Sequence, residues 1–199
     1  MLGPWAIKSL QNRHELRVTD INEAPADFPC EYRKVDISVI DQVVDAAEGM
    51  DAIVNLSVLR PHGQIAFDVN TQGNYNMAIA ATTHKIRRII NTGPHYQLAG
   101  PGYEDFDFEL SPDMPPQPGT RLYAITKALG QEVLRVFSER QNIYVQTLLF
   151  YNFYDPCTLS APGSSEPRHG TDLTPFSVAW QDAGEAIRCA VEIEFARLP

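Results

Sequence analysis

The sequence is short of cysteine, of positive charge and of long apolar runs, and each shortage closes off a class of protein. Cys30, Cys157 and Cys189 are far apart and lack metal-ligand spacing, so neither a disulfide framework nor a metal site is expected, and a reducing compartment fits. Lys and Arg number 16 against 25 Asp and Glu, a net charge of -9. A polyanion is therefore not attracted in bulk, and nucleic acid is not an expected partner. The one basic cluster, Lys85, Arg87 and Arg88, flanks a predicted strand and reads as a solvated strand entrance. No apolar run nears the roughly 18 residues of a membrane span. The amino terminus shows no basic, apolar, small-residue progression of a secretory signal. A cytoplasmic location without membrane contact is expected.

What is present is an apolar fraction of 44% over 199 residues, enough for one domain or one domain and part of a second. Short β-branched runs alternate with stretches of helical period. Helices are predicted over Pro4–Asn12, Ser38–Glu48 with Ser38 as cap, about Phe67–Thr83, Leu122–Glu139 and Asp182–Phe195. Strands are predicted over Glu15–Asp20, Tyr32–Val35, Ala52–Leu56, Arg88–Asn91 and Tyr144–Phe150, the last of them buried. Residues 100–119, rich in proline, acids and aromatics, read as a surface loop at the rim of a site, and 161–170 as a flexible connection. Strict alternation of strand and helix predicts an α/β fold, a doubly wound parallel sheet with helices on both faces.

The helix over Leu122–Glu139 has an apolar stripe of Leu122, Ile125, Leu129, Val133, Val136 and Phe137, and it also carries Tyr123 and Lys127. A separation of four puts both side chains on one helical face, one turn apart. A phenol with a pKa near 10 is a poor acid–base group at neutral pH, and a neighbouring cation favours its phenolate. Taken alone the pair reads as an ordinary surface pair. The surrounding residues change that balance: a proline-rich segment, Pro115–Gly119, precedes the pair, and a strand and then Tyr151-Asn-Phe-Tyr-Asp-Pro156 follow it.

These features resemble the Tyr-x-x-x-Lys motif and its flanks in the extended short-chain dehydrogenase/reductase superfamily, the NAD-dependent epimerases and dehydratases. The resemblance implies a Rossmann-like sheet, NAD as cofactor and a sugar-like small molecule as substrate. Tyr123 is then the acid–base, and Lys127 both lowers its pKa and holds a ribose hydroxyl. Asp20, at a strand end, resembles the acid that accepts from the adenosine ribose, which favours NAD over its 2′-phosphate. Asp36 and Ile37 resemble the segment beside the adenine, although Asp36 equally suits a helix cap. Leu56, Ser57 and Val58 match the strand end under the cofactor, and Asn70 the opening of the next helix, with a structural role equally open. Asn152 matches an asparagine that touches substrate, and Trp180–Ile187 a supporting segment whose Asp182 is expected to cap a helix.

The pattern departs from the family in three places. Met1-Leu-Gly-Pro4 resembles only the end of the glycine-rich turn, so Gly3 is its one matching glycine, and the first strand with most of that turn is read as missing. In Asn91-Thr-Gly-Pro-His95, Pro94 stands where the family has a serine that orients the substrate carbonyl, leaving Thr92 as the catalytic hydroxyl and His95 as a substrate contact. Beyond residue 160, only a connection and a helix stand where the family has a substrate domain. The expected organisation is a cofactor-binding domain over 1–160 and a remnant over 161–199, a chain truncated at both ends. Two functions follow: a sugar or nucleotide-sugar epimerase, dehydratase or dehydrogenase, a uronate dehydrogenase included, or an inactive Rossmann-like binding or regulatory remnant. A homodimer is compatible with either.

Overall fold

The computed structural model describes residues 2–60, 62–95, 114–156 and 177–195. Residues 100–113 of the predicted loop and the connection predicted over 161–170 lie outside the described residues. The elements run α1 (Gly3–Leu10), β1 (Arg17–Asp20), β2 (Glu31–Lys34), α2 (Ile40–Ala47), β3 (Ala52–Asn55) and α3 (Gly63–Phe67), then a π-helical turn (Asp68–Gln72) that runs directly into α4 (Gly73–His84). They continue with β4 (Arg88–Pro94), α5 (Leu122–Arg140), β5 (Tyr144–Phe150), β6 (Asn152–Tyr154), β7 (Ser177–Ala179) and α6 (Trp180–Glu192).

Among the described residues every strand pairing is parallel, in three groups: β1 with β2, β3–β4–β5, and β6 with β7. Among the described residues, β1 pairs only with β2 and β3 only with β4. Helices cover both faces, as alternation along the strands requires. Ile53 and Val145 face a cluster with Val43 and Ala47 of α2, Met77 and Ala81 of α4, and Leu134 of α5. Val54, Leu56 and Leu148 face the opposite cluster, built on Ala6 and Leu10 of α1 and Ile187 of α6.

Local chemistry sets the element ends. Gly49, at a φ of 77°, lets the chain leave α2 in the left-handed region that a side chain disfavours. The cap of α2 is Val39, without a side-chain bond; Ser38 instead gives its backbone N–H and hydroxyl to Asp36 Oδ1, at 2.9 and 2.7 Å. Ser38 is therefore part of an aspartate-centred turn one residue before the helix, and not its cap. Asp182 likewise lies in the first turn of α6, whose cap is Ala179.

Three expectations about burial are corrected. Arg88 is 7% exposed, and its guanidinium donates to the carbonyls of Ala190, Val191 and, at 2.5 Å, Ile193, the open end of α6. It closes a helix C-terminus, where a cation complements the helix dipole, and is no solvated entrance. The buried face of α5 is Ala124, Thr126, Lys127, Ala128, Gly130 and Leu134, whereas Leu129 and Val136 are 44% and 45% exposed. Close approach of α5 to its neighbours selects small residues: a Cβ on Gly130 would overlap the carbonyl oxygen of Asn70. Strand β5, expected to be buried, is half-buried throughout.

Candidate active site

The C-terminal ends of β3 and β4 meet the first two turns of α5, and Lys127 joins them. Its ammonium donates to the carbonyl of Ser57 at 2.8 Å and to that of Thr92 at 3.1 Å. The side chain is 2% exposed. Burial, and next the charge of Arg60, push its pKa down to about 8. An ammonium has three donors, so one remains for a further partner. Tyr123 stands one turn earlier on α5 and is half-buried. Burial raises its pKa above the ordinary 10, and the charge and hydrogen bond of Arg60 offset part of that rise. The Arg60 guanidinium lies 5.0 Å from the centroid of the Tyr123 ring. The cation set against the phenol is thus Arg60, while Lys127 is engaged by two backbone carbonyls.

The strand-end residues are held by a buried asparagine network. Asn55 Nδ2 donates to Asn91 Oδ1 at 3.0 Å and Asn74 Oδ1 at 3.2 Å, and its Oδ1 accepts the Ser57 N–H at 2.9 Å. Asn74 Nδ2 in turn reaches the Asn70 carbonyl at 2.5 Å. Asn70, in the π-helical turn, donates to Thr126 Oγ1 at 3.0 Å and to the Leu59 carbonyl at 3.1 Å, and its Oδ1 is buried without a partner. Of the two roles open to Asn70, the bonding is that of a brace: it ties the loop carrying Ser57, Val58 and Arg60 to α5. Thr92 Oγ1 donates to the Asn55 carbonyl at 2.9 Å, so its proton is directed into the sheet while its oxygen keeps acceptor capacity. Pro94 closes β4 opposite Phe150. The His95 ring is 4.1 Å from that of Tyr151, and burial lowers its pKa to about 4.

Tyr123, Lys127, Thr92 and Ser57 come together; the acids lie apart from them. Asp20 is exposed at the end of β1, with one oxygen accepting from Asn22 and the other open. Asp36 Oδ1 serves the Ser38 turn. Ile37 packs on Gly73, and its carbonyl accepts from Asn76 at 2.8 Å. Leu56 packs in the α1–α6 cluster, and Val58 is exposed. Gly3 opens α1 with free space in front of its Cα. Asn152 lies in β6, followed by Phe153 stacked on Trp180 at 4.1 Å. Sequence reasoning passed over Arg60, Asn74 and Asn91. A lone arginine five residues past a strand end in an acidic chain, and asparagines inside apolar elements, were the available signals.

The family model for NAD dependent epimerases and dehydratases matches residues 1–171. The chain belongs to this family. Among curated proteins none matches the sequence. Solved structures similar to this family member include MoeE5 in complex with UDP-glucuronic acid and NAD, with a TM-score of 0.78 and 17% identity over 97% of this chain and 69% of that one. Uronate dehydrogenase from Agrobacterium tumefaciens gives 0.75 and 19%, over 97% and 68%. UDP-N-acetylglucosamine 4-epimerase from Bacillus cereus gives 0.72 and 15%, over 96% and 71%. The chain spans 66% of a mutated uronate dehydrogenase and 48% of a further short-chain dehydrogenase/reductase. At these identities the likeness is one of fold, the Rossmann fold of dehydrogenases.

Proposed function

We propose that this family member is an NAD-dependent oxidoreductase of sugars or nucleotide sugars, of the epimerase, dehydratase or dehydrogenase type, working in the cytoplasm. Residues 1–160 form its cofactor-binding part, and 161–199 belong to the part that holds substrate. The observation that carries the reading is Lys127, buried between the carbonyls of Ser57 and Thr92 one helical turn from Tyr123.

The residues present suit a dinucleotide. The third ammonium donor of Lys127 suits a ribose hydroxyl, the open oxygen of Asp20 a ribose diol, and the open oxygen of Asp36 an exocyclic amine. The space before Gly3 leaves the start of α1 accessible to an anion. Bound NAD supplies the acceptor for a hydride. With the cofactor bound, Tyr123 Oη would act in its phenolate form as the acceptor of the carbinol proton, and as the phenol would return it in the reverse direction. Thr92 Oγ, Asn152 and His95 orient the sugar; His95, neutral at pH 7, adds no charge there.

A second reading has its own support. The Thr92 proton is committed to the Asn55 carbonyl, and burial makes Tyr123 a weaker acid than a free phenol, as suits a scaffold that binds without turnover. Calorimetric titration with NAD, followed by a sugar screen for NAD reduction, separates the two. Binding and turnover support the oxidoreductase, binding without turnover supports the module, and no binding at millimolar NAD rejects the oxidoreductase. The family member is further proposed to dimerise through α4 and α5. Phe67, Thr71, Tyr75 and Val133 line a surface depression of about 320 Å³ beside the exposed Leu129 and Val136, a patch of the kind that marks interfaces. Light scattering on wild type and Val136→Asp tests this: a monomeric wild type rejects it.

A further inference from the structure

The Tyr-x-x-x-Lys spacing sets Lys127 against the phenol, yet the contacts of the two cations divide the work differently. The Lys127 ammonium directs two of its donors to the Ser57 and Thr92 carbonyls. The Arg60 guanidinium lies 5.0 Å from the Tyr123 ring centroid and hydrogen-bonds the Tyr123 side chain. Its backbone is held from a buried residue. Asn70, 1% exposed, donates at 3.1 Å to the carbonyl of Leu59, the residue before Arg60, and at 3.0 Å to Thr126 Oγ1. Thr126 Oγ1 in turn faces the carbonyls of Leu122 and Tyr123, at 2.9 and 3.2 Å. One asparagine thus ties the segment that carries Arg60 to the helical turn that carries Tyr123.

The cations also differ in when they are charged. A guanidinium keeps its proton throughout the range in which a protein is folded, whereas Lys127, with a pKa of about 8, loses its charge before an ordinary phenol ionises. Around Tyr123, the loop after β3 brings Arg60 and α5 brings Lys127, while Ser57 and Thr92 bring neutral groups. Among the described residues, Arg60 is the charge that acts on the phenol, and it acts on Lys127 as well. A guanidinium N–H donates more strongly to a phenolate than to a phenol, so the bond favours the proton-accepting form. We propose that Arg60 is the positioning residue that readies Tyr123 to accept a proton, leaving Lys127 to hold the strand ends and the cofactor. The proposal rests on the oxidoreductase reading for the reaction, while the ionisation of Tyr123 is measurable in the unliganded chain. Arg60 keeps its own protons; the carbinol proton goes to Tyr123 Oη.

The test is an NMR titration of the full chain carrying isotopically labelled tyrosine and lysine, in wild type, Arg60→Gln and Arg60→Lys, with Tyr123→Phe and Lys127→Met assigning the two signals. Arg60 is exposed, so both of its variants are expected to fold, and thermal melts check this. Arg60→Gln should move both midpoints upward: Tyr123 loses the charge that favours its phenolate, and Lys127, at about 8 in wild type, loses a repelling neighbour. A merely structural part would give the opposite sign at Tyr123, because loosening the loop wets the phenol and brings its pKa down toward 10. Arg60→Lys should stay nearer wild type. With NAD and an oxidised sugar found by screening, Arg60→Gln should lower the rate at neutral pH by about 10-fold or more and move the acid limb of the pH profile upward, with the KM for NAD unchanged. A Tyr123 midpoint that is unchanged or lower in Arg60→Gln, or that moves as far in Arg60→Lys, overturns the proposal. So does a wild-type Tyr123 that does not ionise before the chain unfolds. Failure of NAD to bind while the midpoint shift persists rejects the oxidoreductase reading and leaves the Arg60–Tyr123 pair standing. Turnover of NAD with an unshifted midpoint rejects the role of Arg60 alone.

Discussion

The β1–β2 pair and the β3–β4–β5 sheet use the same parallel pairing, yet they hold their functional residues in opposite ways. Strand β4 is buried along its whole length, and the polar side chains at its end and beside it, Asn55, Asn91, Thr92 and Lys127, are bonded to one another's strands and helices. Neither β1 nor β2 has a buried residue, and their charged side chains pair at the surface, Glu31 with Arg17 and Arg33, Lys34 with Glu23. Buried, hydrogen-bonded polar groups lock a geometry, because each broken bond strands a partner away from water. Surface ion pairs exchange with water at little cost. The end of the site proposed to do chemistry is thus preorganised, and the end proposed for the adenosine is left to be ordered by its ligand.

The largest effect that tests this contrast is on turnover. Tyr123→Phe removes the only proton acceptor assigned to the reaction and should lower kcat by about 100-fold or more, with NAD affinity unchanged; equal turnover would end the acid–base assignment. Next comes Asn55→Ala, which strands Asn74, Asn91 and the Ser57 N–H together. It should cost about 3 kcal/mol in urea unfolding, while Glu31→Gln in the other half leaves the midpoint where it was. Gly130→Ala should cost about 1–3 kcal/mol because α5 must move off the Asn70 carbonyl; an unchanged melting temperature would show that the close approach is not needed. Asp20→Ala should weaken NAD binding by about 10-fold without touching stability, since the carboxylate is exposed.

The smallest effects are in the pH dependence. His95 is neutral in the folded protein down to about pH 4, while in the unfolded chain it takes its proton near the ordinary 6.5. Between those values the unfolded state holds more protons, so stability falls as the pH is lowered through that window. His95→Gln should flatten this limb. Lys127 acts at the alkaline side: its folded pKa of about 8 lies below the ordinary 10.5. The unliganded protein should therefore gain stability as the pH rises from 8 toward 10.5, and Lys127→Met should remove that gain.

Most of the fold was legible because its signals are local. Strand β5 begins and ends where its apolar run does, α5 ends within one residue of its predicted limit, and Ile89 and Ile90 are buried as their β-branched run implied. The stripe on α5 was misread because apolar periodicity reports a face that is suited to burial, whereas Gly130 and the alanines reveal which face a neighbour approaches. Arg88 was misread because its partner carbonyls lie more than a hundred positions along the chain, on α6.

By itself the sequence determined the alternation of strands and helices, the parallel sheet, and the placing of Tyr123 and Lys127 on one face of one helix, since periodicity and a spacing of four act over a few residues. Only the tertiary structure decided that Lys127 is bonded to the Ser57 and Thr92 carbonyls, that Arg60 lies against Tyr123, and that asparagines from β3, β4 and α4 form one buried network. Those contacts join segments 19 to 70 residues apart, and their pairing depends on how the strands and helices pack, which no local pattern records.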